Sequence, residues 1–297
     1  MKYSIVIVTY NRLNLLKECI NNALNQTISP KNVIVVNNAS NDGTYEYLNE
    51  LSQTEDKVIV YHEEENLGGS GGFYDALRLF SEQDSDWVMI IDDDAILDLN
   101  CIETLNHYIE KENLKACSTS VITDNQYMTF HRRDLNDYQN VLDYEKDIFY
   151  VDVASFCGLF LSKEIMNQIG LPEKDYFIWY DDTEYCYRIN KLTKIAVIPQ
   201  ARLNHKTTLP QPSQGFTLGW KDYYGIRNSI HMLRKHKHYS YLWTRIKYGI
   251  FLWLRCFKRG KSFAVERKMC FKAMIDGFTS KLGRNPLYLP GKPLGKK

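Results

Sequence analysis

No window of this chain approaches 18 uncharged apolar residues, so the sequence offers no membrane-spanning helix. The opening MKYSIVIVTYNR turns polar after one short apolar run and reads as a strand rather than a signal peptide. Seven cysteines (Cys19, Cys101, Cys117, Cys157, Cys186, Cys256 and Cys270) lie scattered without a CxxC pair. They predict reduced, mostly buried thiols of a cytosolic protein, and exclude a disulfide frame or a zinc cluster. Excess charge is also missing: 37 Lys and Arg balance 36 Asp and Glu, which argues against generic nucleic-acid binding. Neither GxGxxG nor GxxxxGK[ST] occurs, so dinucleotide and P-loop sites are not expected. Internal repeats and low-complexity tracts are absent too. What is present is an ordinary globular composition, 297 residues with 44% hydrophobic, enough for one large domain or two small ones.

The first 120 residues alternate β-branched runs with helical spacing. Ser4–Val8, Asn32–Val36, Val58–Tyr61 and Trp87–Ile91 read as strands; Leu13–Gln26, Gly43–Leu51 and Gly72–Phe80 read as helices. This order predicts an α/β domain with a mostly parallel sheet and helices on both faces. Residues 122–150 are polar and tyrosine-rich without a period and read as irregular. Val151–Leu161 and Ile195–Ile198 regain strand character. From about Gly219 the chain becomes aromatic, basic and helical, which puts a boundary near residue 215 between a catalytic domain (1–215) and a helical region (216–297).

Ligands bind beyond the carboxyl ends of strands in such sheets. Three polar clusters follow strands here: Thr9-Tyr10-Asn11-Arg12, Asn37 to Gly43, and Asp92-Asp93-Asp94. Along extended chain, Asp92 and Asp94 share one face, and paired carboxylates suit Mg²⁺ or Mn²⁺. A solvated acidic turn is the alternative for the triplet alone. Asn66-Leu67-Gly68-Gly69-Ser70-Gly71-Gly72 precedes a helix, where backbone amides can approach phosphate or sugar; a flexible turn is the alternative. Trp179-Tyr180-Asp181-Asp182-Thr183-Glu184 sets an acidic cluster at a helix start, suited to a general base or to a cap. His205, after a short strand, is either structural or an imidazole donor to a metal.

In combination, these strings resemble a family 2 glycosyltransferase with the GT-A (Rossmann-like) fold over roughly residues 3–230. The resemblance rests on TYNR (Thr9–Arg12), VVNNASNDGT (Val35–Thr44), NLGG, the acidic triplet in the DxD position, and WYDDTEYCYR (Trp179–Arg188). Within that family, NLGGSGGF, DDD and W-x-D-D-x-E look most like bacterial galactofuranosyltransferases. The resemblance implies that Asp92 and Asp94 hold Mn²⁺ or Mg²⁺ bridging the donor diphosphate, that His205 completes its coordination, and that Asp182 is the base. It implies nucleotide-sugar contacts from Thr9, Tyr10, Asn11, Arg12, Asn37, Asn66, Gly68, Gly69 and Asp93, and acceptor contacts from Trp179, Tyr180 and Asp181. One departure concerns the second strand, which ends in Asn37 where the family usually has an aspartate reading uracil.

The expected activity is metal-dependent, inverting transfer of galactofuranose from UDP-galactofuranose to a lipid-linked bacterial surface glycan such as capsule or O-antigen. Transfer of rhamnose, galactose or glucose from another nucleotide sugar is the alternative. A sugar nucleotidyltransferase would need basic residues in the glycine-rich segment, which has none, and a non-catalytic carbohydrate-binding relative has no use for both acidic clusters. Tyr241–Leu254 (YLWTRIKYGIFLWL), flanked by Arg234, Lys235, Lys237, Lys258, Arg259 and Lys261, suits an anionic membrane surface or a helix packed on the domain. The expected location is the cytoplasm, peripheral on the inner face of the cell membrane; a homo-oligomer is left open.

Overall fold

The computed structural model describes residues 1–135, 140–207, 217–259 and 263–295. The chain runs β1 (Tyr3–Thr9), α1 (Leu13–Leu24), β2 (Asn32–Asn37), α2 (Thr44–Thr54), β3 (Val58–His62), α3 (Gly68–Ser81), β4 (Trp87–Asp92), β5 (Ala95–Leu97) and α4 (Cys101–Glu112). There follow β6 (Ala116–Thr123), β7 (Gln126–Tyr127), β8 (Arg132–Arg133), β9 (Phe149–Val151), β10 (Val153–Ala154), β11 (Leu159–Ser162), α5 (Lys163–Ile169), α6 (Asp181–Ile189) and β12 (Ile195–His205). Three helices close the sequence: α7 (Trp220–Lys235), α8 (Tyr239–Lys258) and α9 (Ala264–Phe278).

Two compact units result. The first holds Met1–Leu67, Gly72–Pro172 and Asp182–Pro210; the second holds Gly68–Gly71, Glu173–Asp181 and Gln211–Lys297. The boundary expected near residue 215 lies outside the described residues.

The first unit is built on one sheet of order β3-β2-β1-β4-β11-β6-β12-β5. β1 pairs in parallel with β2 and β4, and β2 with β3. All seven residues of β1 are buried, as are five of six in β2 and in β4. Burial on both faces explains why these strands read as unbroken apolar runs rather than as alternation. β11 enters antiparallel between β4 and β6, and β6 pairs in parallel with β12. The two faces carry separate cores, one against α1 and α4 and one against α3 and α5.

Two local devices aim the chain at the sheet's edge. The apolar run Ile195–Ile198 is only the start of β12, which passes a register shift between Ile198 and Arg202 and continues to His205. Pro199 falls at this irregularity, where its missing N–H costs the ladder nothing. Gly158 sits in the left-handed region (φ +94°), with its N–H donating 2.9 Å to Ile90 O. A Cβ there would stand 2.1 Å from Thr119 Oγ1. Gly158→Ala is therefore expected to destabilise the fold by roughly 2–3 kcal/mol, read from the denaturant midpoint; an unchanged midpoint would mean that this turn tolerates a side chain.

The second unit has its own core of Phe177, Tyr223, Tyr224, Ile230, Leu233 and residues of α8 and α9. No helix among the described residues is long and apolar enough to cross a membrane.

Candidate active site

β1, β2 and β4 run parallel as neighbours, so the polar clusters after Thr9, Asn37 and Asp92 share the sheet's carboxyl edge. Hydrogen bonds tie them together. Asp93, 4% exposed, accepts from Thr9 Oγ1 (2.7 Å), Tyr10 N (3.4 Å) and Arg12 Nη1 (3.2 Å). Arg12 Nη1 also donates to Asp94 Oδ2 at 2.6 Å. Asn11, at φ 54°, donates its N–H to Ser40 Oγ and accepts from Asn41 N. Arg12 thus supplies the cation that a packed acidic triplet requires.

A turn, rather than strand alternation, sets Asp94 close enough to Asp92 for its charge to raise that carboxyl. β4 ends at Asp92, and Asp93-Asp94 form a turn before β5. Both oxygens of Asp94 are engaged, Oδ2 by Arg12 and Oδ1 by His205 Nε2 at 3.0 Å. His205 arrives because β12 pairs antiparallel with β5, setting His205 opposite Ala95.

Asp92, Cys157 and His205 each offer an atom, a carboxylate oxygen, Sγ and a ring nitrogen, within 4.8 Å of one another. Cys157 was not singled out in the sequence. Leu159 pairs with Ile90 antiparallel, and Cys157 lies in the bend just before it, where the Gly158 N–H still reaches Ile90 O. The turn at Gly158 and the carbonyl of Cys157, which accepts from Arg132 Nη2 (3.1 Å), hold it there. Arg132 is fully buried and also donates to Thr119 O and His131 O. Neutral His131, its pKa pushed down to about 2 by burial and then by Arg132, packs edge-on against the His205 ring at 5.5 Å. All seven cysteines are free and buried.

The donor set fits a divalent cation. With His205 Nε2 committed to Asp94, its buried Nδ1 has no partner among the described residues, a lone pair without a proton to accept. An imidazole oriented by a carboxylate through one nitrogen and free at the other is the usual form of a metal-binding histidine. Burial, and then the charge of Asp94, raise Asp92 to about 7 without a cation. A cation reverses that cost.

Asn37 is 1% exposed; its Oδ1 accepts from Ser40 N (3.0 Å) and its Nδ2 meets His62 Nδ1 (3.0 Å). That leaves one amide hydrogen for a ligand. Asn66 is half-buried. The glycine-rich segment is not a loop preceding a helix at Gly72, as the sequence suggests, but the first turn of α3. Gly68 (φ +73°) permits this start, since a Cβ would stand 1.9 Å from Phe177 O, whereas around Gly69 the space is open.

Asp182, the second residue of α6, is half-buried. Its Oδ1 accepts from Thr183 N (2.5 Å) and Thr183 Oγ1 (2.9 Å), and Arg133 Nη2 donates to that hydroxyl (3.1 Å). No hydrogen bond reaches its Oδ2 among the described residues. Glu184 is fully buried and held by Arg188 at 2.8 Å.

Trp179, Tyr180 and Asp181 belong to the second unit. Phe177, Trp179 and Tyr180 have φ of 66°, 65° and 71°, a conformation rare for bulky residues and commonest at functional loops. Asn228 of α7 holds them by donating to Tyr176 O, Ile178 O and Trp179 O at 2.8–3.0 Å. Trp179 is 44% exposed and Asp181 is buried.

Residues 4–170, more than half of the chain, match Glycosyl transferase family 2. The chain belongs to that family. Among curated relatives, glycosyltransferase GlyG of Streptococcus pneumoniae serotype 4 is 29% identical over 167 residues, covering 56% of this chain and 49% of GlyG. The chain therefore spans about half the length of that relative. The dTDP-rhamnosyl transferase RfbF of Shigella flexneri is 25% identical over 257 residues, covering 78% of this chain and 79% of RfbF. Among solved structures, GalNAc-T7 with UDP, GalNAc and Mn²⁺ superposes with a TM-score of 0.61 at 15% identity, over 92% of this chain and 55% of that one. The fold is GT-A: a mostly parallel sheet with flanking helices, followed by C-terminal helices.

Proposed function

We propose that this family 2 chain transfers a sugar from a nucleoside-diphosphate donor to a glycan acceptor, with inversion, and needs a divalent cation, Mn²⁺ or Mg²⁺. The observation that carries the reading is the meeting of Asp92 and His205 at the sheet's carboxyl edge, with His205 Nδ1 buried and without a partner among the described residues. Asp92 and His205 would hold the cation, with Asp94 as a further ligand or as the carboxylate that orients His205. When bound, a cation neutralises charge on the departing diphosphate. Asp182 takes the acceptor's proton through its free Oδ2 as the hydroxyl attacks the anomeric carbon from the opposite face. Thr9 and Asp93 brace the loop carrying Tyr10, Asn11 and Arg12, which contact the nucleotide together with Asn37 and Asn66. Gly68 and Gly69 offer backbone contacts to the donor, and Trp179, Tyr180 and Asp181 contact the acceptor.

UDP-galactofuranose is the donor favoured by the NLGGSGGF, DDD and W-x-D-D-x-E strings, and a lipid-linked bacterial surface glycan is the acceptor. A second reading, rhamnose from dTDP-rhamnose, is favoured by the even coverage of RfbF. Incubating the enzyme with Mn²⁺, acceptor glycans and a panel of nucleotide sugars distinguishes them by the nucleoside diphosphate released. UDP from UDP-galactofuranose supports the first reading and dTDP from dTDP-rhamnose the second. Turnover indifferent to EDTA overturns the metal requirement.

Peripheral membrane binding belongs to the same proposal. Trp243, Ile250, Phe251, Leu254 and Phe257 of α8 are exposed, at spacings that share one face with Lys247 and Lys258, while Leu242, Gly249, Leu252 and Cys256 face inward. An exposed aromatic face carrying cations suits an anionic bilayer. Lys235 is paired with Glu173, and Lys261 lies outside the described residues; Lys237, Lys247 and Lys258 are exposed and supply basic charge here. Binding to anionic vesicles is expected, weakened by high salt and lost in Trp243→Asp/Phe251→Asp; a protein that ignores such vesicles refutes it.

A further inference from the structure

Resting on the metal reading above, we propose that Cys157 is a third protein donor to the cation and biases the site towards thiophilic metals. Co²⁺, Zn²⁺ or Cd²⁺ would then be preferred over Mg²⁺. A buried cysteine is most often a small apolar filler. Three observations on Cys157 exceed that role. It lies in the bend that leads into β11, the strand paired with β4, whose last residue is Asp92. Its Sγ lies within 4.8 Å of both an Asp92 oxygen and a His205 nitrogen. The peptide that follows it is held at both of its polar ends, by Arg132 on the Cys157 carbonyl and by the Gly158 N–H on Ile90 O.

Three atoms that close have a central point no farther than about 2.8 Å from each, and metal–ligand bonds of about 2.0–2.3 Å need only small side-chain adjustments from there. The site's character follows from its donors. Carboxylate oxygen alone suits Mg²⁺, whereas adding imidazole and sulfur shifts preference to softer ions. Cation binding releases the thiol proton to solvent, and the thiolate occupies one coordination position. That also limits the positions left for substrate oxygens.

Cobalt titration of the purified full-length protein tests this, because a sulfur–cobalt bond gives a near-ultraviolet charge-transfer band that oxygen and nitrogen ligands do not. Wild type is expected to develop that band together with visible d–d absorption. Cys157→Ser should keep the d–d absorption, lose the charge-transfer band, bind Co²⁺ and Cd²⁺ about tenfold or more weakly, and leave Mg²⁺ affinity unchanged. Cys19→Ser, altering a thiol that instead bonds Ala95 O (3.3 Å), should keep the band. Cys157→Ala, compared by near-ultraviolet circular dichroism, controls for loss of fold. Cobalt bound to wild type without the band, or a band that survives Cys157→Ser, overturns the role of Cys157 while leaving the metal site intact. If no d–d absorption develops and Mn²⁺ also fails to bind, the metal reading itself falls, and this inference with it.

Discussion

Asp92→Asn should cut transfer about 10³-fold while leaving the metal-free protein more stable than wild type at pH 8. The first effect removes a carboxylate ligand, and with it several kcal/mol of charge stabilisation from the cation. The second follows from the carboxyl's surroundings. Burial, and then Asp94, raise its pKa from 3.8 to about 7. Near pH 3 it is protonated in folded and unfolded chains alike and costs nothing. As pH rises from 4 towards 7 the unfolded chain ionises readily while the folded one resists, so stability falls and the full cost is present above 7. A shift of about three units sets a ceiling near 4 kcal/mol, and partial solvent access and coupling to Asp94 bring it to the order of 2 kcal/mol. Asparagine never ionises and escapes that cost. Thermal unfolding in EDTA at pH 5 and pH 8 should therefore show the variant's advantage only at pH 8. Added Mn²⁺ should stabilise wild type and not the variant. A variant no more stable than wild type at pH 8 would mean that Asp92 is solvated and unstrained.

The same residue shows where sequence reading succeeds and where it stops. β1, β2 and β4 are legible because strands buried on both faces must be apolar along their whole length, and their ends are marked by the switch to Thr, Asn and Asp. That Asp92 and His205 meet was implied by family resemblance, not by any local signal. Alternation does not account for how Asp92 and Asp94 come together, because it holds only while the chain stays extended, and it turns at Asp93. The start of α3 was set four residues late because glycine's low helix propensity hides a first turn that tertiary contact with Phe177 maintains. Cys157 was missed because its nearness to Asp92 and His205 is set by the bend before β11, a long-range meeting that leaves no local pattern. A period-two pattern gives faces, not partners.

Asp182→Asn should lower transfer about 10²-fold or more with fold, cation binding and donor binding preserved. The prediction depends on an asymmetry within one carboxylate. Oδ1 is occupied by the amide and hydroxyl of Thr183, while Oδ2 takes no hydrogen bond among the described residues. Asparagine can keep its oxygen on Thr183, so that contact survives, and it puts an NH₂ donor where the free oxygen stood. A donor there cannot take the acceptor's proton. The loss should therefore appear in kcat, with the KM for the nucleotide sugar little changed. Glu184 cannot substitute, since it is fully buried and clamped by Arg188. If Asp182→Asn transfers sugar at near the wild-type rate, Asp182 only holds Thr183 in place, and Asp181 becomes the residue to test.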